Sequence, residues 1–515
     1  SINNLTSSAS AVSTNTKQFG GGGGGKELVY QARFNTEDWS GEVAAYEVSI
    51  VGGKATVDTS DTATPFWTTK DTLTNASKRL PSKMFTWNPA TPAGVSFAWG
   101  SLSAAQQTAL GGATNGPNVV SWLQGNNVSG LRSHSAKYGL LGDILGADPV
   151  FFNYARNRYS KLPASAGSCT IAGDNKSASG TGCTGAEIYS QYVADGKANR
   201  TPMIYVGSND GMLHAFEAMT GNEKMTFIPN AVYTDGTEKK FVNLTDPNYD
   251  HRYFVDGSAS VSDAFDGSVW QSYLLFGLGR GGKSVSAINV TDTTYTASDI
   301  QWEFSNAELG YTYGTPVVAR FADNKWYAIF PNGLDSTSQQ ASVFVVNINN
   351  AADYHLLTTG VGSVGTPNGM MAIQPKLSAD RTVTDIYAGD IRGNVWKFDV
   401  YNEGTSSVQW NNGVKLFTTG NASTGTPQSI TGGLRVGKHP SGLGSIIYFG
   451  TGKYFEVGDN SYSGSSVPQV DTFYAVLDDG STTNLTRGQL KPQTFTMVGN
   501  NRTASQNSVS YSGSE

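Results

Sequence analysis

The chain has 515 residues and a net charge of −6, with charged residues at 15%, aromatics at 11% and 61 glycines. Scattered Lys and Arg on an acidic background exclude a basic nucleic-acid surface, and no stretch of about 18 apolar residues exists to cross a bilayer as a helix. A chain this long buries a core large enough to need no metal or disulfide framework. Few charges with abundant Gly, Asn, Asp, Ser and Thr are the composition of short strands joined by tight turns, an all-β class.

No signal peptide is read at the start, where Ser1 opens a polar stretch of the kind a mature or excised fragment shows. Residues 1–26 are Ser, Thr and Asn followed by the run Gly20 to Gly25, which reads as a flexible linker outside the fold. Order is expected from KELVYQARF onward, and residues 27–200 read as irregular first blades with insertions. LVYQARF and GEVAAYEVSIV have strand patterns, whereas SLSAAQQTALGG has apolar spacing and a Gly stop that predict a short helix; VVSWLQG is a candidate second one.

Cys169 and Cys183, the two cysteines, flank the polar loop CTIAGDNKSASGTGC. Their spacing suits a disulfide across a loop tip, which adds roughly 3 kcal/mol through closure, against the alternative of two idle thiols. With no CxxC spacing and no neighbouring His they make a poor zinc or redox site. A disulfide implies an oxidising compartment, the periplasm or cell surface.

From residue 201 to 490 a unit recurs: an apolar strand, a Gly/Asn/Asp turn and a second strand. It appears as MIYVGSNDGMLHAFEAMTG, YLLFGLGRGGKSVSAINVTD, WYAIFPNGLDSTSQQASVFVVNINN, DIYAGDIRGNVWKFDV and IIYFGTGKYFEVGD with DTFYAVLDDG. Glycine beside Asn or Asp supplies the positive-φ turn residues of hairpins. Spacing on the order of 55 to 70 residues exceeds a minimal four-stranded blade and leaves room for insertions. Repeated hairpins of this kind predict a β-propeller of about seven blades, within a range of six to eight, since a sandwich does not repeat itself. Residues 491–515 remain as a tail or closing strand.

Read together and in order, LVYQARFNTEDWSGEVAAY, MFTWNP, LLGDILGADPV, YVGSNDGMLHAF, HRYFVDG, YAGDIRGNVWKFD and TGKYFEVGD with TFYAVLD resemble the strings of the PilY1/PilC family across about residues 27–490. The resemblance implies a propeller at the C-terminal end of a larger protein. It also implies a non-enzymatic factor that assists type IV pilus assembly or opposes retraction. Such a factor sits at or near the pilus tip with minor pilins as partners, and supports twitching and adhesion to host or abiotic surfaces.

That family carries a calcium loop just before the YAGD strand, with oxygen ligands at alternate positions. Here the stretch Leu377 to Asp385 keeps only Asp380 and Asp385 as carboxylates, with Arg381 beside the first and no glycine between. A cation in the loop opposes an ion that wants six to eight hard oxygens, so calcium is an open candidate against an ordinary turn. Asp246, Asn248 and Asp250 alternate as in the first half of a calcium loop, but His251 holds the glycine position and no Glu closes it. Asp459 and Asn460 form a weaker loop-tip pair.

Gly277 to Ser284 matches G-x-x-x-x-G-K-[ST], yet a strand pattern follows where a phosphate loop needs a helix. The histidines His134, His214, His251, His355 and His439 are dispersed, and His214 and His251 read as buried structural residues. Asp210, Asp256, Asp390 and Asp399 read as corner residues accepting backbone amides, and Trp39, Trp87, Trp302, Trp326 and Trp396 as packing between blades. No R-G-D tripeptide is present. Two other function classes remain compatible with the sequence. DGMLHAFEAMTG resembles quinoprotein (PQQ) dehydrogenase blade strings, though the adjacent cysteines of those enzymes are missing; a free-standing adhesin or lectin unconnected to pili is the other.

Overall fold

The computed structural model describes residues 12–14, 27–60, 63–73, 80–135, 138–153, 159, 185–236, 240–420, 425–455, 459, 471–499 and 501–509. Cys169, Cys183 and Asn460 lie outside them. Among the described residues, six sheets of three or more strands follow one another along the chain. The first joins Val12–Thr14, Leu28–Asn35, Ser40–Glu47 and Trp67–Thr68. The second runs from Val150–Phe152 through Met203–Ser208 and Met212–Glu217 to Glu223–Ile228. The third holds Ala259–Phe265, Trp270–Gly277, Val285–Asn289 and Ile300–Phe304; the fourth holds Val317–Arg320, Trp326–Pro331, Ser342–Asn347 and Tyr354–Thr358. Met370–Leu377, Val383–Asp390, Asn394–Asp399 and Val414–Thr418 make the fifth, and Arg435–Lys438, Ser445–Gly450 and Phe473–Asp478 the sixth.

The blades exist because their middle strands are apolar on both faces, and a strand's side chains alternate between faces. In Trp270–Gly277, Leu274 and Phe276 pack toward the second sheet while Tyr273 and Leu275 pack toward the fourth. Separate buried clusters fill the first–second, second–third, third–fourth, fourth–fifth and fifth–sixth interfaces. Trp302 and Trp326 sit between the third and fourth sheets and Trp396 between the fourth and fifth. This is a β-propeller.

Three features depart from the sequence reading. Val12–Thr14, inside the segment set aside as a linker, pairs with Leu28–Asn35, because ladder bonds are made by backbone and need no apolar side chain. Met84–Asn88 and Ala93–Ser96 join the outer edge of the second sheet, Met84–Asn88 running parallel to Glu223–Ile228 with Thr86 Oγ1 donating to the Ile228 carbonyl at 2.8 Å. Among the described residues four α-helices stand against the one or two expected: Thr69–Leu73, Ala104–Ala109, Gly112–Leu123 and Gly185–Asn199. Ser103 and Gln106 close a capping box at the start of Ala104–Ala109. On Gly185–Asn199, Tyr189 donates to the buried Asp263 at 2.7 Å, and the Tyr192 hydroxyl lies 2.7 Å from the Ser272 hydroxyl, so polar contacts dock this helix as much as apolar ones. No helix among the described residues is long and apolar enough to cross a membrane.

Candidate functional site

The hairpin corners between second and third strands collect on one end of the blades, where each corner meets the lead-in to the next blade. Gly211 (φ +90°) and Gly393 (φ +79°) make two of these turns in the left-handed region that favours glycine. Corner side chains then bond across to the neighbouring backbone. Asn209 accepts from the Phe254 amide at 2.9 Å, and Asn332 accepts from the Met370 amide at 3.1 Å. Asp390, wholly buried, accepts from the Asn394 amide at 2.8 Å, from Asn368 Nδ2 at 2.9 Å and from Trp396 Nε1 at 2.9 Å. Gly257 lies so close to the Gly277 carbonyl that a Cβ would stand 2.4 Å from its oxygen.

Near the junction of the first three sheets lies a set of buried ionisable groups. His214 is fully buried, its Nε2 3.1 Å from both Asp210 oxygens and its Nδ1 2.7 Å from Glu223. Burial alone would lower its pKa, but the Asp210 charge and the bonds to both carboxylates outweigh that and raise it to about 9. His251 bonds Asp143 at 2.9 Å and packs against Trp39, the rings tilted by 36° with centroids 4.1 Å apart. Asp143 also accepts from Asn209 Nδ2 at 2.8 Å. Asp256 accepts from the Gly146 amide at 2.7 Å, and burial, partly offset by that bond, pushes it up to about 6. Beside them a shallow cleft is lined by Trp39, Trp122, Arg132, His134, Asp210 and Tyr249 among others. Its charged walls are engaged internally: Arg132 lies 4.2 Å over the Tyr249 ring and donates to the Asp38 carbonyl, while Asp38 accepts from Ser135 Oγ at 2.6 Å. The His214 triad braces strands of the second sheet, whereas His251–Asp143, Asp256–Gly146 and Arg132–Asp38 tie together segments far apart in the chain.

The calcium candidates fall elsewhere and do not converge. Asp380, at the tip between Met370–Leu377 and Val383–Asp390, accepts from Ser378 Oγ, from the Thr382 amide at 3.3 Å and from Thr382 Oγ1 at 3.1 Å. Arg320 of the fourth sheet lies 3.7 Å away. Burial opposes its ionisation, yet the Ser378 and Thr382 bonds and Arg320 together hold its pKa below the ordinary carboxylate value. Asp385 is bound by Lys376 at 2.9 Å and Lys397 at 3.4 Å. Asp246 accepts from the Asn248 amide at 2.8 Å as a turn residue, and Asp250 pairs with Arg252 at 3.0 Å. Asp459 caps the Phe455 amide at 2.9 Å. Among the described residues no group of three or more His, Cys, Asp or Glu side chains is placed to hold a metal ion. The phosphate-loop lookalike runs from the strand Trp270–Gly277 through a 3₁₀ turn at Gly279–Gly281 into the strand Val285–Asn289, and Lys283 pairs with Asp335 at 3.0 Å.

The sequence marks the strands of the sixth sheet but not that large apolar side chains there and in the segment after it face solvent. Phe473 is 72% exposed, Tyr454 74%, Phe495 78% and Met497 66%. Phe495 and Met497 share one face of the hairpin Phe495–Val498/Asn501–Ala504. The alternation T-F-T-M was the available signal.

The sheets and the network at their corners define a β-propeller scaffold. The chain belongs to the PilY1 family: the family's β-propeller domain model matches residues 180–508. It is similar to the type IV pilus biogenesis factor PilY1 of Pseudomonas aeruginosa PAO1, 30% identical over 98% of this chain and 45% of that protein. A PilY1 homolog of Xylella fastidiosa is 31% identical over 88% of this chain and 33% of its own length. The chain thus spans less than half the length of these relatives. The crystal structure of the P. aeruginosa PilY1 C-terminal domain superposes with a TM-score of 0.52 at 31% identity, covering 62% of this chain and 69% of that one.

Proposed function

We propose that this chain is the propeller module of a non-enzymatic type IV pilus assembly and retraction-control factor. It acts between periplasm and cell surface, at or near the pilus tip, where it contacts minor pilins and supports surface or host adhesion and twitching. The observation that carries this reading is the 30% identity over 98% of the chain to relatives named as pilus biogenesis factors. Its surface chemistry supports a binding role. Exposed Phe473, Phe495 and Met497 are the kind of apolar side chains that interfaces cover. The stretch 481–509 also carries Arg487, Lys491 and Arg502 without one acidic residue, inside a chain of net charge −6.

The test is genetic. Deletion of the gene is expected to remove surface pili and twitching, with restoration by the intact gene. A complementing copy carrying Phe495→Ser and Met497→Ser is expected to make stable protein but to restore piliation poorly. Normal piliation and motility in the deletion strain would contradict the reading.

A further inference from the structure

The fit of Asp380 and Asp385 to a calcium ion fails on chemistry that is already in place. Calcium takes six to eight oxygens at about 2.3 to 2.6 Å and draws its carboxylates into one shell. In this chain the two carboxylates are aimed at different neighbours. Asp380 folds over its own turn and meets Arg320, a buried guanidinium on the innermost strand of the fourth sheet, which also donates to Thr382 Oγ1 at 3.1 Å. Asp385 sits on the side of its strand that carries Tyr387, a residue of the fifth–sixth interface. There Lys397 bridges Asp385 at 3.4 Å and Asp478 of the sixth sheet at 2.8 Å, while Tyr387 donates to Asp478 at 2.5 Å. The turn itself needs no ion. Ser378 and Thr382 close it by an amide-to-carbonyl bond of 2.9 Å, and Arg381 takes the left-handed position (φ +67°) that ends a three-residue hairpin loop.

The row Arg320–Asp380 and Lys376–Asp385–Lys397–Asp478 therefore reaches across three blades. We propose that side-chain cations do here the work the resemblance would assign to a bound calcium ion: Arg320, Lys376 and Lys397 neutralise Asp380, Asp385 and Asp478 and clasp the fourth, fifth and sixth blades without metal. A calcium ion entering beside Asp385 would have to displace two ammonium groups from partly buried positions, and the freed ammonium groups would repel it. The clasp is a calcium-independent form of the blade junction, held by ion pairs.

The experiment uses the purified chain, with calcium chloride and EGTA as the probes. Isothermal titration with calcium is expected to give no saturable heat, and the thermal midpoint is expected to be the same in calcium and in EGTA. Lys397→Met should lower that midpoint in both media alike, and Lys397→Arg should restore most of the loss. Should Lys397→Met fail to yield folded protein, Lys376→Gln, at a half-exposed position, reports the same effect on a smaller scale. Saturable one-to-one calcium binding abolished by Asp380→Asn or Asp385→Asn overturns the proposal. So does a midpoint indifferent to removal of either lysine.

Discussion

His214 offers the sharpest test of the corner network, because its environment fixes both the size and the direction of an effect. It is wholly enclosed, with Asp210 on one ring nitrogen and Glu223 on the other. Burial works to discharge the ring, but the two carboxylates dominate and raise its pKa from the usual 6.5 to about 9. A shift of that size corresponds to about 3 kcal/mol of preference for the protonated native state. Since the folded value lies above the unfolded one, this contribution is fully present below pH 6.5 and is lost as the pH rises through about 9. Urea unfolding followed by tryptophan fluorescence at several pH values between 6 and 9.5 should show the stability falling by about 3 kcal/mol over that window. His214→Gln removes the cation and leaves two buried carboxylates facing each other, so it should cost about 3 to 5 kcal/mol at pH 6. The variant should also lose most of the pH slope. A variant whose slope matches that of the unaltered chain would refute the reasoning.

The opposite sign is expected at Asp256. Burial raises its pKa to about 6, so its ionised form is a cost that is full above that value and fades as the pH falls toward the ordinary carboxylate range. Asp256→Asn, which can still accept the Gly146 amide, should stabilise the chain by about 1 to 3 kcal/mol at pH 8 and hardly at all at pH 4, read from the same urea curves. Asp390→Ala strands buried donors on Asn368, Asn394 and Trp396 and should cost roughly 3 to 5 kcal/mol, since each unpaired buried donor costs about 1 to 3 and the losses overlap. Gly257→Ala drives a methyl group into the Gly277 backbone and should lower stability by about 1 to 3 kcal/mol or more, measurable as a drop in the thermal midpoint.

What could be read in the sequence was local. The Gly-Asn-Asp hairpins announced themselves because a corner such as Asn209-Asp210-Gly211 needs a positive φ, and the strands around it needed only an apolar run. Corner aspartates followed the same logic: Asp390 accepts the Asn394 amide and Asp399 the Tyr401 amide at 3.1 Å. Long-range pairing was hidden. Nothing in MFTWN says that it will lie parallel to a strand about 140 residues later, since the bond from Thr86 to Ile228 depends on tertiary placement. Glu223 reaches His214 only because the strand pairing shifts register between Ala215 and Phe216. The helix Gly185–Asn199 leaves little sequence signal, because glycines and polar residues dilute its apolar stripe. Its anchors, Tyr189 and Tyr192, meet Asp263 and Ser272 about 75 to 80 positions further on. At the candidate calcium loop, loss of alternate carboxylates and the intruding Arg381 were visible at once. The lysines and arginine that answer Asp380 and Asp385 come from three other strands.

The central claim is that this propeller works by joining other proteins at the pilus and not by turning over a substrate. Pili sheared from cells expressing a tagged version of the full protein, washed and then solubilised, measure it directly when the tagged protein is captured and its companions are identified. The account expects the protein to come off with the fibre and to bring minor pilins with it. Recovery only in the fibre-free supernatant, with no pilin attached, would contradict it.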